Sequence, residues 1–450
     1  MTTLMNIMSR TETERREQEL PPQPSTVEET RLSFLFLVEL VTKTLFRSGT
    51  MKLLDISAAI KLPVNVLEPV LTFMRSQRLC EMKRSSETET AISYTLSDLG
   101  RQRAEEFLRK SQYVGPAPVS LEDYIAQVKR QSIAAMQVTT LKLQEAFQGV
   151  IVNESILRQF GAAMNSGRAI FVWGPAGSGK TYIAEHLVGL LSGNVAIPHA
   201  INVADEVIQV FDPLIHIPLY SAQSMTPALD RRMATDTRWI LCRRPVVKTG
   251  GELSLPMLDL EFDESARFYH APPQVKANNG LLIIDDLGRQ LSPAIGIMNR
   301  WIVPLDRRVD YLALHTGKKF TVPFDMIVVF SSNLTPAKLA DEAFLRRLGY
   351  KIFVGHLDPE RYTAIAKQVC VELGIRASQE ELDYLLKKHQ IQEKPLLACI
   401  PRDILSQIRD LSIFEEEQPE LSRTRLDWAW NNYFWSEQQS QRSQSERNAR

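Results

Sequence analysis

The chain has 450 residues and a mass of 51.1 kDa, 44% of them hydrophobic and 24% charged, enough to bury more than one core. Its 53 Lys and Arg balance 53 Asp and Glu, which excludes a strong whole-molecule basic field for gripping nucleic acid or anionic lipid and leaves only local patches. The apolar runs at 35–40 and 281–284 fall far short of the roughly 20 residues that cross a bilayer. Charges at Arg10, Glu12, Glu14, Arg15, Arg16, Glu17 and Glu19 interrupt any secretory apolar core, so no membrane insertion and a cytoplasmic location are expected. Cys80, Cys242, Cys370 and Cys399 lack metal-ligand spacing and are expected to be buried free thiols.

In chain order, residues 1–30 are polar and end in Pro21-Pro22-Gln23-Pro24, a composition expected of a disordered tail, as is that of 436–450. Two prolines within 113–120 block helix continuation and place a linker at 113–125. The module before it, 31–112, reads as helix, helix, helix, strand, turn, strand, helix. Leu32, Phe36, Val38, Leu40, Leu45 and Phe46 mark the first helix; the second covers 53–60 and the third 64–79, around the break at Leu62-Pro63. Strands are predicted at 79–83 and 91–96, and Ser97 with Asp98 caps a last helix to Lys110. That order resembles a winged-helix domain, which implies DNA binding through the third helix or docking of a protein. The third helix offers only Arg75 and Arg78 near its far end, and the basic excess of the module is small.

Residues 169–173 (Ala-Ile-Phe-Val-Trp) are predicted as a buried strand leading straight into Gly174, Pro175, Ala176, Gly177, Ser178, Gly179, Lys180 and Thr181, with a helix over 182–191. This is a complete Walker A pattern in its strand-to-helix setting. Glycines let backbone amides curl around phosphates, Lys180 brings a point charge to the β and γ phosphates, Thr181 offers a hydroxyl to Mg²⁺, and the helix start adds its positive dipole end. Tyr182, which opens the helix, joins the nucleotide-binding set. A second strand, Gly280-Leu-Leu-Ile-Ile, ends in Asp285 and Asp286, where open α/β sheets build ligand sites. Asp285 is placed to hold Mg²⁺, and Asp286 stands where a general base, usually Glu, orients water. A third apolar strand, 326–333, ends in Asn333, in reach of a γ phosphate. Arg346 and Arg347 precede a strand at 351–354, and Cys399-Ile-Pro-Arg402 opens a helix aimed back at the nucleotide.

With these motifs in this order, residues 169 to about 434 resemble an AAA+ ATPase. The resemblance implies a parallel five-stranded α/β core (126–355), a helical lid (356–435), and a ring, commonly of six copies. It makes Asn333 the sensor 1 residue, Arg402 the sensor 2 residue, and Arg346 or Arg347 the finger that reaches a neighbour's γ phosphate. ATP and Mg²⁺ are the implied cofactors. Trp428, Trp430 and Trp435 are expected in the lid core.

The insertion between the Walker elements is predicted to hold strands at 206–211 and 238–247. Phe268 and Tyr269 read either as an aromatic loop facing a central pore or as a turn packed on the core. Arg289, Arg300, Arg307 and Arg308 gather guanidinium groups beyond the second motif, expected at a subunit boundary. The leading reading resembles bacterial AAA+ ATPases with chaperone-like activity, which remodel or assemble an unidentified protein partner. The alternative, carried by Leu281-Leu-Ile-Ile-Asp-Asp-Leu-Gly288, resembles helicase loaders and transposition helpers that act on DNA. A third is a nucleotide switch that hydrolyses poorly, since Asp286 is shorter than Glu by one methylene.

Overall fold

The structure, a computed structural model, describes residues 20–84, 92–219, 235–339 and 342–434. The C-terminal tail expected at 436–450 and the first 19 residues of the N-terminal one lie outside the described residues.

Five parallel strands make the central sheet: β1 (Ala169–Trp173), β2 (Val246–Thr249), β3 (Leu281–Ile284), β4 (Ile327–Ser332) and β5 (Leu348–Phe353). Their order across the sheet is β2-β3-β4-β1-β5. Both faces are covered, which is why these strands read as unbroken apolar runs. On one face Ile170, Val172, Leu281, Ile283 and Val329 pack against helices Glu154–Ser166 and Lys180–His186. On the other, Phe171, Leu282, Ile284 and Phe330 meet Trp301 and Phe324. Alternate residues of each strand thus serve opposite layers.

The strand expected over 238–247 is two strands. Pro245 cannot donate to a ladder, so the chain breaks there between Trp239–Arg243, paired antiparallel with Asn194–Pro198, and β2. Beyond the core lies a second five-stranded sheet made of Val119–Ser120, Ala200–Val203, Glu206–Gln209, Glu261–Asp263 and Phe268–His270. With the hairpin Val309–Ala313 and Lys319–Pro323 it encloses its own core around Val195, Ile201, Trp239, Tyr269 and Leu312. Residues 113–120 belong to this packing: Ala117 and Val119 are fully buried, and Val119 pairs with Ile201.

The N-terminal module follows the predicted order, with helices Phe34–Ser48, Leu53–Ile60, Val64–Ser76 and Asp98–Lys110 and strands Cys80–Arg84 and Ile92–Leu96. A two-residue strand, Met51–Lys52, joins the sheet. The second and third helices bend by 113° at Leu62-Pro63. Ser97 accepts from the Gly100 N–H and so caps the last helix. The module sits on the second sheet: the Gln112 N–H donates to the Ala266 carbonyl at 2.9 Å, and the rings of Tyr113 and Phe268 meet edge-on at 5.5 Å.

Three expectations change here. Tyr269 is a buried strand residue paired with Ile208, so Phe268-Tyr269 packs on a core and faces no pore. Arg300 is paired with Asp310 at 2.6 Å, and Arg308 donates to the Met326 carbonyl at 3.1 Å; both guanidinium groups tie the fold together internally. In the lid, Trp430 is buried but Trp428 is 44% exposed, while Trp435 lies outside the described residues. Among the described residues no single helix is long and apolar enough to cross a membrane.

His199, beside the buried Ala200, is held neutral. Burial, with a smaller push from Lys61, lowers its pKa to about 4. Its folded pKa lies below the unfolded value near 6.5, so the stability it confers is complete above about pH 6.5 and is lost as the pH falls towards 4. Denaturant titrations from pH 7 to pH 4 are expected to show a loss of up to about 3 kcal/mol from this group. His199→Gln should remove that part of the slope.

Candidate nucleotide site

β1 ends at Trp173 and the chain turns sharply at Gly174, whose φ is 152°. A Cβ there would lie 2.0 Å from the Val354 carbonyl oxygen. Only glycine allows the loop to pass so close to the end of β5. Gly177 (φ 80°) faces the lid: a Cβ would meet the Cys399 sulfur at 2.4 Å, and the Gly177 carbonyl accepts from the Cys399 N–H at 3.0 Å. The helix Lys180–His186 then begins with its free amides turned to the loop.

Lys180 is buried, and its ammonium donates to the carbonyls of Gly174 (3.1 Å) and Pro175 (2.9 Å) and to Asn333 Oδ1 (2.8 Å). Burial lowers its pKa, opposed by the charges of Asp286 and Asp285. Asn333 Nδ2 in turn donates to Asp286 Oδ1 at 2.8 Å. The sensor residue therefore bridges the P-loop lysine and the expected base. Beside this relay the Thr181 hydroxyl reaches both oxygens of Asp285, at 2.8 and 2.9 Å. A hydroxyl and a carboxylate side by side are the hard oxygen donors that Mg²⁺ accepts together with phosphate. Among the described residues no cluster of three or more His, Cys, Asp or Glu forms a closed metal cage.

These groups open on a cavity of about 590 Å³ between the sheet and the lid. The lid helices are Pro359–Leu373, Gln379–Ile391, Cys399–Phe414 and Arg423–Tyr433, packed around Tyr362, Ile404, Leu405 and Trp430. Ala176 to Tyr182, Asp285, Asp286, Asn333 and Arg402 all line the cavity. Tyr182 is half exposed, its ring 4.3 Å from His186. Arg402 lies at the lid side, ion-paired with Glu372, whose carboxyl pKa this hydrogen bond lowers. Arg346 and Arg347 are absent from the cavity lining. Arg346 is largely exposed beside Glu342, and Arg347 is bonded to Asp306 at 2.6 Å; together with Arg168 they line a separate surface hollow.

Sequence reasoning passed over the rest of the lining. Val150, Val152 and Ile156 from one side, and Ile365 and Val369 from the lid, give the cavity an apolar end, the kind of surface that takes a flat heterocycle. The signal was the apolar run 150–152 just before Asn153, which caps the helix Glu154–Ser166. Lys248 on β2 also escaped notice. It stands 3.8 Å from Asp285 and 2.9 Å from Glu185, and the bond to Glu185 raises its pKa.

A parallel sheet in the order β2-β3-β4-β1-β5, with the P-loop after β1, paired aspartates after β3 and an asparagine after β4, defines the class. The fold is that of an AAA+ core. A family model described as a domain of unknown function (DUF8689) matches residues 358–432, which span the lid. No curated protein matches the chain. Among solved structures, the chain is similar to NtrX from Brucella abortus in complex with ADP, with 13% identity and a TM-score of 0.39, over 63% of this chain and 56% of that one. It is also similar to the RuvB Holliday junction branch migration motor of Thermotoga maritima, with 10% identity and a TM-score of 0.37, over 64% and 72% of the two chains. The chain thus spans little more than half the length of NtrX.

Proposed function

We propose that the protein is a Mg²⁺-dependent ATPase that works as a ring of identical copies and remodels or assembles a protein partner. The observation that carries the ATPase reading is the relay Lys180–Asn333–Asp286, set beside the Thr181–Asp285 pair on a single cavity. The P-loop amides and Lys180 hold the phosphates. Thr181 and Asp285 are the residues that would hold Mg²⁺, which when bound neutralises charge on the phosphate oxygens. Asp286 orients a water and accepts its proton as the oxygen bonds to the γ phosphorus and the β–γ bridge breaks. Asn333 holds the Asp286 carboxylate and touches the γ phosphate in its turn; Arg402 approaches from the lid.

Ring assembly rests on Arg346 and Arg347, which lie outside their own chain's cavity lining and are open to a second copy. A protein partner suits the balanced charge of the chain, 53 basic against 53 acidic residues. The N-terminal module, read as a winged helix, is the part that selects it. Arg75 and Arg78 remain exposed there.

The test is ATP turnover of the purified chain against Lys180→Ala, with and without duplex DNA, and light scattering for mass. Lys180→Ala is expected to lower turnover by roughly 10²-fold or more. Arg346→Ala with Arg347→Ala should stop turnover in the assembly while sparing ATP binding; unchanged turnover sinks the finger assignment. DNA stimulation that fades steeply with salt replaces the protein partner with DNA. Binding without turnover makes the protein a nucleotide switch.

A further inference from the structure

No motif accounts for Gln290, four residues beyond Asp286, yet its side chain is the most connected polar group around the paired aspartates. The amide nitrogen donates to the carbonyls of Asp285 at 3.0 Å, Asp286 at 3.2 Å and Gly250 at 3.3 Å, while Oε1 accepts from the Gly288 N–H at 2.8 Å. An NH₂ has two hydrogens for these three carbonyls, so at least one hydrogen is shared. Gln290 therefore grips the turn after β3 from both its acceptor and its donor side and ties it to the segment leaving β2.

That turn needs a grip. Asp286 has a φ of 48°, in the left-handed region, and Gly288 has a φ of 106°. A residue with a Cβ in that region costs roughly 1–2 kcal/mol, which the surroundings must offset. The Leu287 N–H bonds to the Ser331 carbonyl at 2.8 Å and the Arg289 N–H to the Asp286 carbonyl at 3.0 Å, but neither reaches β2. Asp has a single methylene between backbone and carboxylate, so the place of its oxygens is set almost wholly by its backbone. A longer Glu would correct a misplaced turn with its side chain; Asp286 cannot.

We propose that Gln290 is a positioning residue: it fixes the backbone of Asp286 so that the carboxylate meets the attacking water, and it sets the hydrolysis rate without taking part in nucleotide binding. The proposal rests on the ATPase reading above. A carboxylate displaced by about 1 Å loses roughly 10²-fold in rate, so Gln290→Ala should lower kcat by roughly 10- to 100-fold with the ATP Kd unchanged. Gln290→Met, of equal length but without an amide, should match it, separating lost hydrogen bonds from lost volume. Gln290→Glu keeps the acceptor for Gly288 but turns a carboxylate towards three carbonyls, and should be at least as slow.

The experiment measures steady-state ATP turnover, the Kd of ATP by calorimetry under non-turnover conditions, and thermal melting for the full chain and the three variants, with Lys180→Ala alongside. A fall in kcat at constant Kd, in variants that melt with the wild type, supports the assignment. Turnover equal to the wild type in the Ala and Met variants overturns it. So does a parallel loss of affinity and melting temperature, which marks Gln290 as a structural brace only. A wild-type chain without turnover removes the ATPase reading and this proposal together, whereas wild-type turnover with indifferent Gln290 variants removes the proposal alone.

Discussion

Asp286→Asn is expected to cut ATP turnover by roughly 10²- to 10⁴-fold, the usual worth of a positioned acid or base, with ATP affinity nearly unchanged. The substitution is nearly isosteric and leaves a hydrogen-bonding partner for Asn333, which now donates to Asp286 Oδ1 at 2.8 Å. It removes the negative charge and the lone pair that accept the proton of water. Lys180 and Thr181, which hold the phosphates and face Asp285, stay in place. The check is single-turnover hydrolysis beside equilibrium binding. Turnover within about threefold of wild type would show that another group takes the proton, and the switch reading would lose its only structural motive.

Gly174→Ala is expected to do more damage than any other single methyl on the P-loop. The new Cβ would lie 2.0 Å from the Val354 carbonyl oxygen, and the φ of 152° is one that L-residues rarely adopt. The obstacle is backbone at the end of β5, so no side chain can swing aside. The loop or the strand must move, at a cost on the order of 3 kcal/mol. Nucleotide binding should fail at the same time, because Gly174 and Pro175 carbonyls anchor the Lys180 ammonium. Thermal melting and nucleotide titration of the variant test both parts. Gly193→Ala is the comparison: its Cβ would meet nothing within 4 Å, so it should cost only the roughly 1–2 kcal/mol of its left-handed backbone.

What could be read in advance divides along a physical line. Residues 174–181, Asp285, Asp286 and Asn333 were legible because phosphate chemistry demands particular residues at fixed offsets from apolar strands, and all of them meet in one cavity. The five core strands were legible for the same reason their residues are buried on both faces: β3 is four consecutive aliphatic residues. The second sheet was not, because its strands run two to four residues and leave too little periodicity to count.

Polar residues with internal partners were misread in the other direction. Arg300 and Arg308 look like surface charges in a string of basic residues, and only the fold brings Asp310 and the Met326 carbonyl to them. Asn279 was invisible on its own. It is fully buried and bonded to the Val128 carbonyl, to Gln131 and to Asp325, joining three distant segments at the entry to β3. Long-range hydrogen bonding of this kind has no sequence period. Arg346 and Arg347 are a different case: their pairing with Glu342 and Asp306 within the chain says nothing of what a second copy would bring.

The bond between the Cys399 N–H and the Gly177 carbonyl gives the lid a foothold on the phosphate loop itself. A rotation of the helix Cys399–Phe414 cannot leave that loop at rest, because its first turn pivots on the loop's own backbone. Tilting of the lid and loosening of the phosphate grip are therefore one degree of freedom. Work delivered to the lid from outside would be felt first as a change in how long the nucleotide stays.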